Sequence, residues 1–151
     1  NGWHSKNDIY NMPEYKELVS LLFKMQNEIF KEEGLEPSPF IGNMWANINP
    51  KGAYNTSHIH SNSLWSGVYY VKTPNNCGKL GIKDPRALSL MTLPKYNKPL
   101  KSYQWRQFYY EAVAGRCIMF PAWLEHFVEP NQSNDLRISI SFNFLQREYS
   151  E

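Results

Sequence analysis

Two textures divide the chain near residue 40. Over residues 12–33, Leu18, Leu21, Leu22, Met25 and Ile29 recur at the three- and four-residue steps of a helical face, Pro13 suits a first turn and Gly34 a stop. The spacing predicts one helix whose apolar stripe covers a sheet. Beyond it, short β-branched and aromatic runs alternate with turn residues such as Asn49-Pro50-Lys51-Gly52 and Pro130-Asn131-Gln132-Ser133-Asn134-Asp135. Strands are expected at residues 43–49, 57–60, 65–72, 79–83, 108–113, 116–120, 125–128 and 136–145. Residues 84–104, interrupted by Pro85, Pro94 and Pro99, read as a long surface loop with at most one short strand. Strands at this spacing predict a mostly-β jelly roll or barrel.

Alternation along the last strand separates two faces. Arg137, Ser139, Ser141 and Asn143 share one, and Ile138, Ile140, Phe142 and Phe144 share the other. A guanidinium on so apolar a strand is costly to bury unpaired. A bound carboxylate would relieve that cost, with Ser139 adding a hydroxyl. The competing expectation is a structural ion pair with Asp84 or Asp135. In the strand at 65–72, Ser66, Val68, Tyr70 and Lys72 share a face, so Tyr70 is either a core residue or a phenol donor to the same carboxylate.

Composition bounds these readings. At 151 residues with 42% apolar content, the chain fits a single domain over residues 1–151 with a substantial core. A net charge of +2 with scattered basic residues gives no reason to expect nucleic acid. There is no run of 18 apolar residues and no signal-like opening, so neither a membrane span nor secretion is expected. Two cysteines, Cys77 and Cys117, are too few for a disulfide framework and suit a reducing, cytoplasmic compartment. Open strand edges in an aromatic-rich chain make a homodimer a candidate assembly.

Of the four histidines, three form a metal-like pattern: His58-Ile59-His60, then His126, with Arg137 eleven residues later. Two histidines separated by one residue on a strand face the same way, and a third from a distant strand would close one side of an ion while leaving the other open. Imidazole suits iron, copper, nickel and zinc alike. Asn47, Asn143 and Asp84 are candidates for hydrogen bonding behind the ligands. Trp65, Trp123 and Phe127 are candidates either to shield the site or to fill the core, and His4 has no assigned role.

Taken together, His58-Ile59-His60, Ser66-Gly67-Val68-Tyr69-Tyr70, Asp84-Pro85-Arg86, Gly115 through Phe120-Pro121 to His126, and Arg137 through Asn143 resemble the small 2-oxoglutarate- and Fe(II)-dependent oxygenases of phages and bacteria. The opening Gly2-Trp3-His4-Ser5 resembles the start of that family, so the resemblance covers nearly the whole chain. The family is similar to the prolyl 4-hydroxylase-like branch. It implies a double-stranded β-helix, cupin-like, with the N-terminal helix packed on the outer sheet.

By the same resemblance, His58 and His126 are iron ligands, Arg137 and Ser139 hold the distal carboxylate of 2-oxoglutarate, and Tyr70 assists them. It also implies Fe(II) and 2-oxoglutarate as cofactors, with ascorbate as an accessory, and hydroxylation of a peptidyl side chain or a small metabolite with release of succinate and carbon dioxide. His60 stands where the superfamily carries Asp or Glu. Either His60 ligates, which its spacing favours, or Asp84 or water takes that position. Two other readings stay open: a three-histidine, cupin-like dioxygenase that does not use 2-oxoglutarate, and a non-catalytic, metal-containing binding barrel.

Overall fold

The structure is a computed structural model that describes residues 2–35, 39–86, 88, 91 and 94–146. Its strands are β1 (Trp3–His4), β2 (Pro39–Asn49), β3 (Asn55–His58), β4 (Trp65–Lys72), β5 (Leu80–Lys83), β6 (Gln107–Tyr110), β7 (Cys117–Pro121), β8 (His126–Val128) and β9 (Arg137–Gln146), with helix α1 at Lys16–Glu33. They form a five-stranded sheet ordered β1-β2-β9-β4-β7 and a four-stranded sheet ordered β3-β8-β5-β6. All strand pairings within the two sheets are antiparallel, as the jelly-roll expectation requires. No helix among the described residues is long and apolar enough to cross a membrane.

α1 covers the five-stranded sheet, but with a different face from the one the leucine spacing suggested. Leu22, Gln26 and Phe30 are buried, whereas Leu21 and Met25 are 54% and 37% exposed. Gln26 occupies the middle of the true i, i+4, i+8 stripe, and a polar residue there masked it. The helix also starts later than expected, because residues 13–15 form a 3₁₀ turn before it, while Gly34 ends it in the left-handed conformation at φ 69°. Leu22 packs with Ile41, Met44, Ile140, Phe142 and Phe144, and Phe23 meets Phe144 edge-on at 5.2 Å. Each such side chain contributes roughly 1.5–3 kcal/mol by leaving water.

A second, smaller core of Leu80, Ile82 and Phe120 lies between the sheets, flanked by Val68, Ile118 and Val128. β9 therefore has no solvent face: its isoleucine and phenylalanine side meets α1, and its polar side turns into the sandwich. Gly67 on β4 is required by this packing, since a Cβ there would lie 2.3 Å from Phe142 Cζ.

Other differences from expectation are local. β3 ends at His58, so His60 is not on a strand. β6 stops at Tyr110 rather than 113, and β1 was too short for any periodic signal. Between residues 84 and 104 the described residues hold no strand, and Ser102–Gln104 form a 3₁₀ turn.

Candidate metal centre

β3 and β8 bring two histidines face to face. His58 and His126 are directly paired across this antiparallel ladder, and their ring centroids lie 4.3 Å apart. His60 arrives from the turn beyond β3. Its N–H donates to Ala122 O at 3.1 Å, Leu64 N–H donates to Phe144 O, and Asn62 takes a left-handed φ of 62° that lets the turn close. The His60 ring then lies 5.0 Å from His58 and 5.1 Å from His126. One nitrogen from each of the three falls within 4.8 Å of the others, and no carboxylate joins this group among the described residues.

The ring nitrogens are oriented for ligation. His58 Nδ1 is 2.7 Å from Thr56 O and His126 Nδ1 is 2.9 Å from Leu124 O. A carbonyl only accepts, so each Nδ1 carries a proton, and in the neutral ring Nε2 is the nitrogen with the free lone pair. Burial, followed by repulsion from His126 and His58, pushes the His60 pKa down to about 4. Burial also lowers that of His126, against the opposing Leu124 hydrogen bond. These two imidazoles are therefore neutral at pH 7, the form that binds metal. Phe120 packs edge-on against His126 at 4.7 Å and Trp45 lies 6.1 Å from His60, walling the group on two sides.

The triad borders a cavity of about 60 Å³ between the sheets, shared with Val68, Tyr70, Leu80, Arg137, Ser139 and Ser141. At roughly 10–15 Å³ per water centre, that volume takes several waters or a small linear ligand. Ser141 pairs with Trp45 at the triad end of β9, and Arg137 lies four residues away, roughly 13 Å along the strand at about 3.3 Å per residue. Metal donors and guanidinium thus sit at different ends of one cavity.

Arg137 is 1% exposed, and its Nη1 donates to the carbonyls of Cys77 and Glu129. Neither proposed acidic partner reaches it. Asp135 pairs with Lys72 at 2.7 Å and Asp84 with Arg86 at 2.6 Å, leaving the guanidinium without a carboxylate among the described residues. Tyr70, 2% exposed, is the cross-strand partner of Ser139. Burial raises its pKa to about 12 despite the neighbouring Arg137, so the phenol keeps its proton to donate.

The remaining sequence candidates separate. Asn47 does not line the cavity but donates to Ser141 Oγ, which does, at 3.0 Å. Asn143 sits outside the cavity, bonded to Asn43 and Ser66 at 2.6 Å each. Asp84, the rival third ligand, is removed from the triad by its bidentate hold on Arg86. None of Trp65, Trp123 or Phe127 lines the cavity: Trp65 packs at the helix-side core, Trp123 is 61% exposed and Phe127 lies over Gly81. The aromatic walls are Trp45 and Phe120 instead. Trp45 shares the face of Asn47 and Asn49, which was the available signal for it.

Comparison with known proteins agrees with this geometry. Residues 43–143, which contain all three triad histidines and Arg137, match the model of a family described as "Putative 2OG-Fe(II) oxygenase". No sequence among curated proteins matches the chain. A prolyl-4-hydroxylase from Pseudomonas putida superposes with a TM-score of 0.68 at 17% identity, covering 98% of this chain and 73% of its own. An oxidoreductase of the 2OG-Fe(II) oxygenase family from Burkholderia pseudomallei gives 0.66 at 15%, covering 91% of this chain and 60% of its own. The chain thus spans 60% of the length of that relative. HygX from Streptomyces hygroscopicus, solved with nickel and 2-oxoglutarate bound, gives 0.66 at 9%, covering 99% and 72%.

Proposed function

Because the chain belongs to the 2OG-Fe(II) oxygenase family, we propose that it is a hydroxylase in which His58, His60 and His126 hold Fe(II) while Arg137, Ser139 and Tyr70 hold the distal carboxylate of 2-oxoglutarate. The observation that carries this reading is the buried Arg137 guanidinium, without a carboxylate partner among the described residues, in the cavity that the triad borders. A desolvated cation needs a compensating anion, and its planar fork matches a carboxylate. The triad supplies three imidazole nitrogens, a donor set compatible with iron.

When bound, iron and 2-oxoglutarate supply oxidising power toward C–H bonds as the co-substrate is converted to succinate and carbon dioxide. The chain contributes position and environment. Thr56 and Leu124 fix the two rings that β3 and β8 oppose. Ala122 holds the His60 backbone. Val68, Leu80, Phe120 and Val128 keep the middle of the cavity apolar. Tyr70 and Ser139 lie beside the guanidinium as hydroxyl donors. Prolyl or other peptidyl groups and small metabolites are the substrate classes this reading admits.

A three-histidine dioxygenase that binds a substrate carboxylate at Arg137 is the second reading, favoured by a triad that no carboxylate joins among the described residues. Incubation with Fe(II), 2-oxoglutarate and oxygen separates them. The first reading expects succinate from the wild type and none from His126→Ala, and a wild type that leaves 2-oxoglutarate intact supports the second.

A further inference from the structure

Beside the cavity lies a larger groove of about 460 Å³, bounded by Trp3, Asn47, Asn49, Tyr54, Asn55 and His58 among others. Asn49, Asn55 and His58 border both spaces, so the groove leads to the triad. Among the described residues, no Lys, Arg, Asp or Glu lines it. Trp3 and Tyr54 stand 57% and 58% exposed along it. Its two walls are sheet edges, since β1 is the last strand of one sheet and β3 the last strand of the other. Among the described residues, Asn55–Ser57 make no backbone–backbone hydrogen bond beyond the β3–β8 ladder, and Thr56 O, which accepts from the His58 ring, keeps a second lone pair.

We infer that this groove receives the prime substrate as an uncharged, extended polypeptide segment lying beside β3 as an added strand. The inference rests on the oxygenase reading and names its substrate class. An open strand edge presents a row of N–H and C=O groups that another main chain satisfies in register. The rings of Trp3 and Tyr54 offer apolar area with little rotamer entropy to lose. A charged segment would shed hydration against a wall with no opposite charge, which selects against it. Along an added strand every second side chain points the same way, so one residue near His58 would face the metal end. A sugar could use the amides and rings, but it would leave the β3 backbone edge unpaired.

Two measurements on the full chain test this. The probes are blocked octapeptides of Ala, Ser, Thr, Asn and Pro, the same peptides N-methylated at alternate residues, versions carrying Lys and Glu, and cellohexaose. In the metal-free protein, hydrogen exchange at residues 55–58 should slow tenfold or more with the uncharged peptides and stay unchanged with the N-methylated ones. With Fe(II) and 2-oxoglutarate, uncharged peptides should raise succinate formation at least tenfold, and Tyr54→Ala should raise the peptide KM at least fivefold. Stimulation by cellohexaose alone, equal effects of N-methylated or charged peptides, or no effect of any peptide would overturn the assignment. Calorimetry of 2-oxoglutarate with the Fe(II)-loaded wild type, under anaerobic conditions and without peptide, tells the two failures apart. Binding without any peptide effect removes only the peptide, whereas no binding removes the oxygenase reading as well.

Discussion

His58 and His126 face each other across the β3–β8 ladder, and each ring is fixed by a hydrogen bond to the carbonyl two residues before it. Equivalent contacts on opposed strands occupy both Nδ1 atoms and leave both Nε2 atoms available as donors. The donor geometry is therefore built by the sheet before any metal binds.

Metal should stabilise the fold by mass action, because the unfolded chain does not hold three imidazoles together. At free metal 100 times its Kd the gain is about 2.7 kcal/mol. Thermal unfolding with and without Fe(II) or Ni(II) should show a matching rise in Tm that EDTA reverses. His126→Ala should lose the rise.

Metal-free stability should fall as pH drops from 6.5 toward 4. His60 has its folded pKa lowered to about 4 from an ordinary 6.5, so within that window the unfolded chain binds a proton that the folded chain refuses. The stability present above pH 6.5 is lost through the window, and the shift of His126 has the same sign. Urea midpoints of the apo protein at pH 7.5 and 4.5 measure this, and His60→Asn should flatten the difference.

Arg137→Met should separate stability from ligand binding. Removing a desolvated guanidinium that lacks a carboxylate partner relieves its desolvation cost, which offsets the loss of its hydrogen bonds to the Cys77 and Glu129 carbonyls, so the apo Tm should change little. The same change should eliminate the thermal shift that 2-oxoglutarate produces in the metal-loaded wild type.

Gln26→Leu should stabilise the protein by about 1–3 kcal/mol. Both polar atoms of Gln26 are buried without a hydrogen-bond partner among the described residues, and an isosteric apolar side chain removes that desolvation cost. Chemical denaturation of the two proteins gives the comparison directly.

How far the sequence could be read depended on which signals were periodic. β4 matched its expected bounds, and β9 shifted by one residue, because alternation over eight or more positions is unambiguous. The helix was legible but its buried face was not, since Gln26 interrupts the stripe it belongs to. The three histidines do come together, although His60 reaches the site from a turn held by Ala122 and Asn62 rather than by strand alternation. Asp84 stays with Arg86, a local contact that no long-range pattern announces. The β1–β3 groove arises from tertiary pairing of a two-residue strand, which sequence periodicity does not encode.

The central claim is that the triad and Arg137 jointly hold a metal and a dicarboxylate. Anaerobic titration of the wild type with Fe(II) and then 2-oxoglutarate, followed by visible absorption, tests both ends of the cavity together. The account predicts a weak charge-transfer band that saturates with 2-oxoglutarate, persists in Gln26→Leu and is lost in Arg137→Ala. A wild type that binds Fe(II) but develops no band at saturating 2-oxoglutarate, or an Arg137→Ala protein that develops it at the same affinity, would contradict it.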